Sequence, residues 1–330
     1  MQALAARQTH LARAADAYSI DATAIAPFTT GLGNEHPLEN GFAFLNPYGL
    51  PYLAGSGVKG VLRQAAHELA SGEWSGSHGW SDKKTFSIQE GQKPTLSMLD
   101  VLFGLQSQDG DTLHARGALS FWDVIPQIPG NSPSLHVEVM TPHQGHYYQG
   151  KSDGGSTTPH DSGQPVPICF LTVPPESKLC FHVQCDRAHL ARLAPQLAAG
   201  DQWQKLLQAA FEHAFEWLGF GAKTAVGYGT MQTEAQRQRQ AQESEIRRKA
   251  EEARQLEQQA ETWEGARLTF NRKNGSLTVE KSGQKATAVA PDGERLLNSL
   301  PPAVQQKVRT NPFVKVTARA AKGTLFGVQV

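Results

Sequence analysis

Cysteine, methionine and long apolar runs are what this sequence has least of. Three cysteines, Cys169, Cys180 and Cys185, stand among 330 residues. Three thiols cannot all pair, and no CxxC occurs. That argues against a disulfide frame and a zinc knuckle, and it points to a reducing compartment, hence the cytoplasm. No run approaches the ~18 apolar residues of a bilayer span, so no membrane partner is expected. The start, MQALAARQTHLARAADAY, puts Arg7, His10 and Arg13 where a signal peptide needs an apolar stretch, and reads as an alanine-rich exposed helix. Net charge is also lacking, at 31 Lys+Arg against 31 Asp+Glu. What remains, 39% hydrophobic and 19% charged residues, is the composition of a folded globular chain of about two domains.

The zero net charge conceals a split. Residues 1–230 hold 14 Lys+Arg and 20 Asp+Glu, residues 231–264 hold 6 and 8, and residues 265–330 hold 11 and 3. A tail at +8 suits a polyanion or an acidic protein face. Composition changes at the same places. Residues 1–230 are mixed and rich in Gly and Pro. Residues 231–264 contain neither and are mostly Glu, Gln, Arg, Lys and Ala. Their few large apolar residues, Ile246, Leu256 and Trp263, make no heptad seam. They predict a solvated helical linker of roughly 45–50 Å, held by pairs such as Glu243–Arg247 and Glu245–Lys249.

Residues 265–330 predict a small basic β-rich domain. ARLTFNRKNGSLTVEK is a hairpin around Asn274-Gly275. A strand KATAVA, a short helix around ERLLNSL and a second hairpin, FVKVTARAAKGTLFGVQV, follow. Five short strands fit a small barrel, with the OB type as the candidate. Its aromatics are few (Phe270, Phe313, Phe326), so nucleic acid would be held by its phosphates rather than by stacking.

Three motifs stand out in the first 230 residues. LPYLAGSGVKGVLRQAAHELA reads as a glycine turn and an amphipathic helix, with Val58, Val61, Leu62, Ala65, Ala66 and Leu69 on its buried face. Gly55, Ser56 and Gly57 sit at the helix entrance, where free backbone N–H groups bind anions. Lys59 and Arg63 are four apart and share the neighbouring face. The pattern fits a phosphate clamp, and equally a core helix with two solvated cations. It is not a P-loop, since GxxxxGK[ST] is absent. The second motif, GFGAKTAVGYG (219–229), packs four glycines, Gly221 among them, around Lys223 and Thr224. It predicts helix, glycine-rich loop, then strand. The third is residues 136–173, where HVEVM and PICFLTV read as strands around a long polar loop. His136, His143, His146 and His160, with Glu138, Asp153 and Asp161, raise the question of a metal. No ligand signature is present, so neither metal nor cofactor is expected. Tyr147 and Tyr148 suit either loop anchoring or stacking on bases.

Together TGLGNEHPLENGF, GSGVKGVLR, FGLQSQDGDTLHARGALSFWDVIP, the TPH and YY of the long loop, PVPICFLTV and GFGAKTAVGYG resemble the RAMP superfamily of CRISPR effector proteins. Within it they are similar to the sixth-subunit family of type III-B (Cmr) complexes. The resemblance covers residues 25–230. It implies an α+β fold with a ferredoxin-like, RRM-like core and a long thumb β-hairpin, followed by the charged helix and the small β-rich domain. The domains are then a core over 1–230, with a helical extension over 1–25 and a thumb over 141–166, a linker over 231–264 and a basic domain over 265–330.

The resemblance implies guide-RNA contacts at Gly55, Ser56, Gly57, Lys59, Arg63, Gly221, Lys223 and Thr224. The thumb, with His143, His146, Tyr147, Tyr148 and Lys151, would press into the duplex of guide and target RNA near the guide's 3′ end. It implies as partners the backbone RAMP subunit, a small helical subunit and a terminal RAMP subunit. The protein reads shape and backbone in such assemblies, and base pairing reads sequence. It does not supply a role for the last hundred residues, and the acidic balance of the core suggests weak RNA binding by the core alone. The family's cleaving subunit uses an Asp in the loop after its first strand. Here residues 31–40 offer Glu35, His36 and Glu39 and no Asp, so no catalysis is expected. The alternative is a metal-independent RAMP-fold endoribonuclease that processes guide precursors, with His36 or His67 as general acid–base.

Overall fold

The computed structural model describes residues 1–36, 40–74, 76–87, 95–105, 114–131, 134–141, 147, 158, 167–310 and 314–330. The chain forms two compact units, Met1–Arg237 and Gln238–Val330.

The first unit opens with α1 (Gln2–Ala14), β1 (Tyr18–Ala24) and a small hairpin, β2 (Phe44–Leu45) with β3 (Leu50–Pro51). Helix α2 (Gly55–Ser71), the pair β4 (Thr85–Ser87) and β5 (Thr95–Ser97), α3 (Met98–Phe103) and β6 (Leu119–Phe121) follow. Then come β7 (His136–Met140), β8 (Ile168–Thr172), β9 (Lys178–Cys185), α4 (Arg187–Leu193), α5 (Pro195–Ala198) and α6 (Gln202–His213). A π-helical turn, Ala214–Leu218, extends α6, and β10 (Met231–Gln232) completes the unit's strands.

Four of these strands make one sheet in the order β10-β1-β9-β6, with every neighbour antiparallel. Helix α2 follows β1 and α6 follows β9. Their spacing explains why they stay. Val58, Leu62, Ala65, Ala66 and Leu69 of α2, and Leu206, Leu207, Ala210 and Phe211 of α6, are buried with Leu179, Phe181 and Val183 of β9 in one core. The Phe181 ring lies 5.0–5.4 Å from those of Phe211, Phe215 and Phe220. Burial of one such ring is worth about 1.5–3 kcal/mol. The other face of β1 and β9 carries Ser19, Asp21, Cys180 and His182 in register. His182 is buried there, edge-on to Trp122, with Ser19 Oγ 2.8 Å from its Nδ1.

Three boundaries differ from the sequence reading. The helical extension ends at Ala14, because Tyr18 already belongs to β1 and packs on Trp203 and Phe211. It is not wholly exposed either, since Ala12 is buried and Gln8 Nε2 donates to the Asp123 carbonyl. The core does not stop at 230, because β10 pairs with β1 and Met231 is fully buried. The Gly- and Pro-free segment is helical only as α7 (Glu234–Gln258), about 37 Å over its 25 residues. On it Lys249 pairs with Glu245 at 2.8 Å and Arg248 with Glu252 at 3.6 Å, whereas Glu243 and Arg247 do not pair. Residues from Glu261 enter a strand instead, as Trp263 packs against the second unit's core.

That second core is a closed five-stranded barrel, with strands β11 (Glu261–Asn271), β12 (Ser276–Lys281), β13 (Gln284–Ala288), β14 (Val314–Ala321) and β15 (Thr324–Gln329). Its order is β11-β12-β13-β15-β14, closed by β14 on β11. Only the β13–β15 pair is parallel. Alternate residues fill the interior: Ala266, Leu268, Leu277, Val279, Ala286, Val316, Ala318, Leu325 and Val328. A bulge between Trp263 and Ala266 bends β11 around the barrel. Helices α8 (Asp292–Asn298) and α9 (Pro302–Thr310) link β13 to β14 and add Leu297 and Val308 to the core. The expected hairpins, third strand and short helix are all present. Helix α9 had no counterpart in the sequence reading.

Candidate nucleic-acid interface

Helix α2 begins at Gly55, so the three small residues form its first turn rather than a loop before it. Gly55 is there for close approach. A Cβ on it would lie 2.2 Å from the Phe121 carbonyl oxygen. Its amide is already used, donating to Asp123 Oδ1 at 2.7 Å, a carboxylate favourably placed at a helix N-terminus. The first helical bond runs from the Val58 amide to the Ala54 carbonyl. The amides of Ser56 and Gly57 are thereby left at the helix end, both on exposed residues.

Lys59, exposed, and Arg63, half-buried, stand on the next two turns and line a cleft of about 400 Å³. Its other walls are Phe103, Gly104 and Leu105 from the end of α3, and Ala115, Arg116 and Gly117 ahead of β6. The walls meet because two glycines touch: a Cβ on Gly117 would lie 2.4 Å from the Gly104 amide nitrogen. Arg63 is partly committed to the fold. Its Nη1 donates to the Gly104 carbonyl at 2.6 Å, and its Nη2 stands 3.7 Å from Asp100. Asp100 in turn closes a capping box with Ser97 on α3. Arg116 pairs with Asp186 at the rim. The Asp186 carboxyl is held below its usual range, first by the His189 amide and also by Arg116. Lys59, and Arg63 and Arg116 with their carboxylate partners, therefore line one cleft with Ser56 at the helix end, an arrangement suited to a phosphate. Arg116 and the Gly104/Gly117 contact escaped the sequence reading, although their segment was part of the resemblance.

The glycine-rich loop lies elsewhere; none of its residues lines the cleft. Its glycines serve backbone geometry. Gly219, Gly221, Gly227 and Gly229 all have positive φ, and a Cβ on Gly229 would lie 1.9 Å from the Phe220 carbonyl. The Ala222 amide donates to the Thr29 carbonyl and the Gly229 amide to that of Pro27, which ties the loop beside β1. Lys223 is in the left-handed region, with its Nζ 4.9 Å from the Phe170 ring centre and 3.1 Å from Met140 Sδ. It therefore sits against the loop-side half of the β7–β8 hairpin, whose Val137 and Val139 are exposed. Thr224 is half-buried at the start of a short 3-10 turn.

His143, His146, Tyr148 and Lys151 fall outside the described residues, as do Asp153, His160 and Asp161. Tyr147 is exposed. His67 is exposed on α2 and His36 is half-buried. Among the described residues no three His, Cys, Asp or Glu side chains gather as a metal site, and no helix is long and apolar enough to cross a membrane. Burial pushes the Cys180 and Cys185 thiols up to about 12 and about 11.

The family model that matches the chain is the RAMP superfamily, over residues 21–232. A curated relative, CRISPR system Cmr subunit Cmr6 of Pyrococcus furiosus, is 27% identical over 240 residues. The match takes in 61% of this chain and 63% of that protein, so the chain spans less than two thirds of the relative. Among solved structures, one titled a type III-B Cmr-beta bound to cognate target RNA is 17% identical with a TM-score of 0.42. It covers 65% of this chain and 57% of its own. The crystal structure of Cmr6 from Pyrococcus furiosus is 24% identical with a TM-score of 0.36, covering 66% and 97%.

Proposed function

The chain belongs to the RAMP superfamily, and from that premise we propose that it is a non-catalytic RNA-binding subunit of a type III-B CRISPR effector. The observation that carries the reading is the cleft lined by Lys59, Arg63 and Arg116 beside Ser56 at the start of α2. It lies inside the family-matched residues. The 27% identity to Cmr6 supports the choice of complex.

In this reading the first unit is a ferredoxin-like core, supported by the order β10-β1-β9-β6 and by a helix after β1 and after β9. The guide's phosphates lie along the α2 cleft, and Lys223 and Thr224 hold a further stretch near the guide's 3′ end. The β7–β8 hairpin is the base of a thumb that enters the duplex of guide and target. Exposed Val137 and Val139 support that role, since apolar side chains on a projecting hairpin need a covering surface. The partners are guide RNA, target RNA and the neighbouring backbone, small helical and terminal subunits. Cleavage of target falls to a neighbour.

The test is recovery of the tagged chain from its host, with sequencing of bound RNA and mass spectrometry of co-eluting proteins. Spacer-derived guides with a common 5′ repeat tag, and other RAMP subunits, are expected. Unprocessed repeat RNA without other subunits would make the chain a processing nuclease. Cutting of a repeat hairpin in EDTA that is lost in His67→Ala would then identify the acid–base group.

A further inference from the structure

A second basic surface stands on the barrel, in a part of the chain that the family match does not reach. Residues 265–330 carry 11 Lys+Arg against 3 Asp+Glu. The register lays the outward side chains in two rows. In one, Arg267 stands opposite Lys315 and Glu280, and Glu280 opposite Lys285. In the next, Thr269 stands opposite Thr278, Thr278 opposite Thr287, and Thr287 opposite Thr324. The Thr278 and Thr287 hydroxyls are 3.0 Å apart, and the Thr269 hydroxyl donates to the Thr278 carbonyl at 3.2 Å. Strands repeat at about 4.8 Å, so the hydroxyl oxygens stand at close, regular intervals, with the Thr269 proton and one of the Thr278/Thr287 pair already used within the row.

Two tight turns bring more cations to one end of these strands. Ser282-Gly283 joins β12 to β13, and Lys322-Gly323 joins β14 to β15; all four residues have positive φ. The Gly323 carbonyl accepts from the Thr287 amide at 2.8 Å, which seats the second turn against β13. Lys281, Lys285 and Lys322, all exposed, therefore gather around one end of β13. Lys281 and Lys322 have no carboxylate partner among the described residues, and Lys285 reaches Glu280 only at 3.9 Å. At the opposite end the β11–β12 turn exposes Lys273, and beside it Arg272, whose Nη2 donates to the Arg309 carbonyl at 2.6 Å. Between the two ends lies the threonine row. Two residues past Thr287 and Thr324 stand Val289, 68% exposed, and half-buried Phe326.

This surface offers charge and hydroxyls without the contiguous apolar patch that a protein interface buries at its centre. Phosphodiester oxygens match it: regular, anionic and tolerant of dispersed cations. We propose that the outer face of β12, β13 and β15, with the turns at its two ends, from Lys273 to Lys281, Lys285 and Lys322, binds a single strand of nucleic acid through its phosphates. It does so independently of the α2 cleft.

The experiment measures fluorescence anisotropy of roughly 20-nucleotide oligouridylate and oligodeoxythymidylate on the full chain across a salt series. The triple variant Lys281→Gln, Lys285→Gln, Lys322→Gln is compared with wild type. Loss of three phosphate contacts lowers the slope of log K against log salt by about two. Affinity falls about a hundredfold at 0.1 M salt. That loss with either oligonucleotide is the expected result. Arg254→Gln on α7 with Lys307→Gln on α9 removes charge from helices of the same unit, off this face, and leaves the slope at its wild-type value. Unchanged binding by the triple variant would overturn the proposal, and so would an equal loss in this helix pair, which would mean diffuse attraction only. Displacement of the oligonucleotides by polyglutamate at equal charge would assign the face to acidic protein instead. All three lysines are exposed, so folding should survive. If the triple variant melts early, each single variant carries about a third of the slope change.

Discussion

Arg63 and Lys59 sit one turn apart on α2, yet they answer to different demands. Arg63 anchors the end of α3 through Gly104 and Asp100; Lys59 has no such partner among the described residues. Arg63→Ala should therefore lower folding stability by about 1–2 kcal/mol as well as weaken RNA retention. Lys59→Ala should weaken RNA retention alone. Urea denaturation beside guide-binding assays separates the two, and a stability loss in Lys59→Ala would assign it a structural role. At His182, burial lowers the imidazole pKa and outweighs the opposing pull of Asp21. The folded state therefore resists a proton that the unfolded chain accepts near pH 6.5. Stability conferred by the neutral ring is full above that pH and declines as pH falls through it, levelling below the folded pKa. The denaturation midpoint should drop between pH 7.5 and 5.5, and His182→Gln should flatten that drop. An unchanged pH profile in the variant would locate the titration elsewhere.

At the scale of elements, the short strand β10 shows why composition misplaced the core's edge. Glycines end at 229 and the charged stretch begins at once, so the break reads as 230. Met231 nevertheless fills a core position, and the Thr233 amide is capped by Gln236, whose Nε2 reaches the Glu212 carbonyl on α6. A fragment 1–238 should melt as one cooperative unit. A fragment 1–230 loses a sheet edge and a buried methionine worth about 1.5–3 kcal/mol, and should melt lower by several degrees. Equal melting temperatures by circular dichroism would show that β10 adds nothing. The helix α2 was legible because its apolar period and its small residues are local. The strand from Glu261 was not, because Trp263 earns its place through packing on the barrel, against the helix propensity of its neighbours.

At the scale of the whole molecule, each of the two units has a hydrophobic core of its own. Calorimetry should resolve two transitions. Leu277→Ala, which empties a fully buried barrel position, costs about 2–5 kcal/mol and should lower one of them while the other stays. Joint movement of both would mean a single cooperative block. The division also separates the charges: the acidic unit carries the local cationic cleft and the basic unit carries a broad field. Salt should therefore weaken RNA binding by the full chain more steeply than binding by fragment 1–238.

The charge split, the amphipathic helices, the hairpin turns and the strand count of the barrel were already present in the order of residues. They depend on periods of two to four residues and on turn chemistry, which act locally. Folding added what depends on distant segments meeting. Gly104 and Gly117 had to touch before Arg116 could join Lys59 and Arg63. Gly55 had to meet Phe121 before its amide went to Asp123 rather than to a ligand. The glycine loop had to dock on Thr29 before Lys223 could reach Met140 and Phe170. Spacing along the chain carries no record of such contacts, because they are set by how closely two backbones can approach in space.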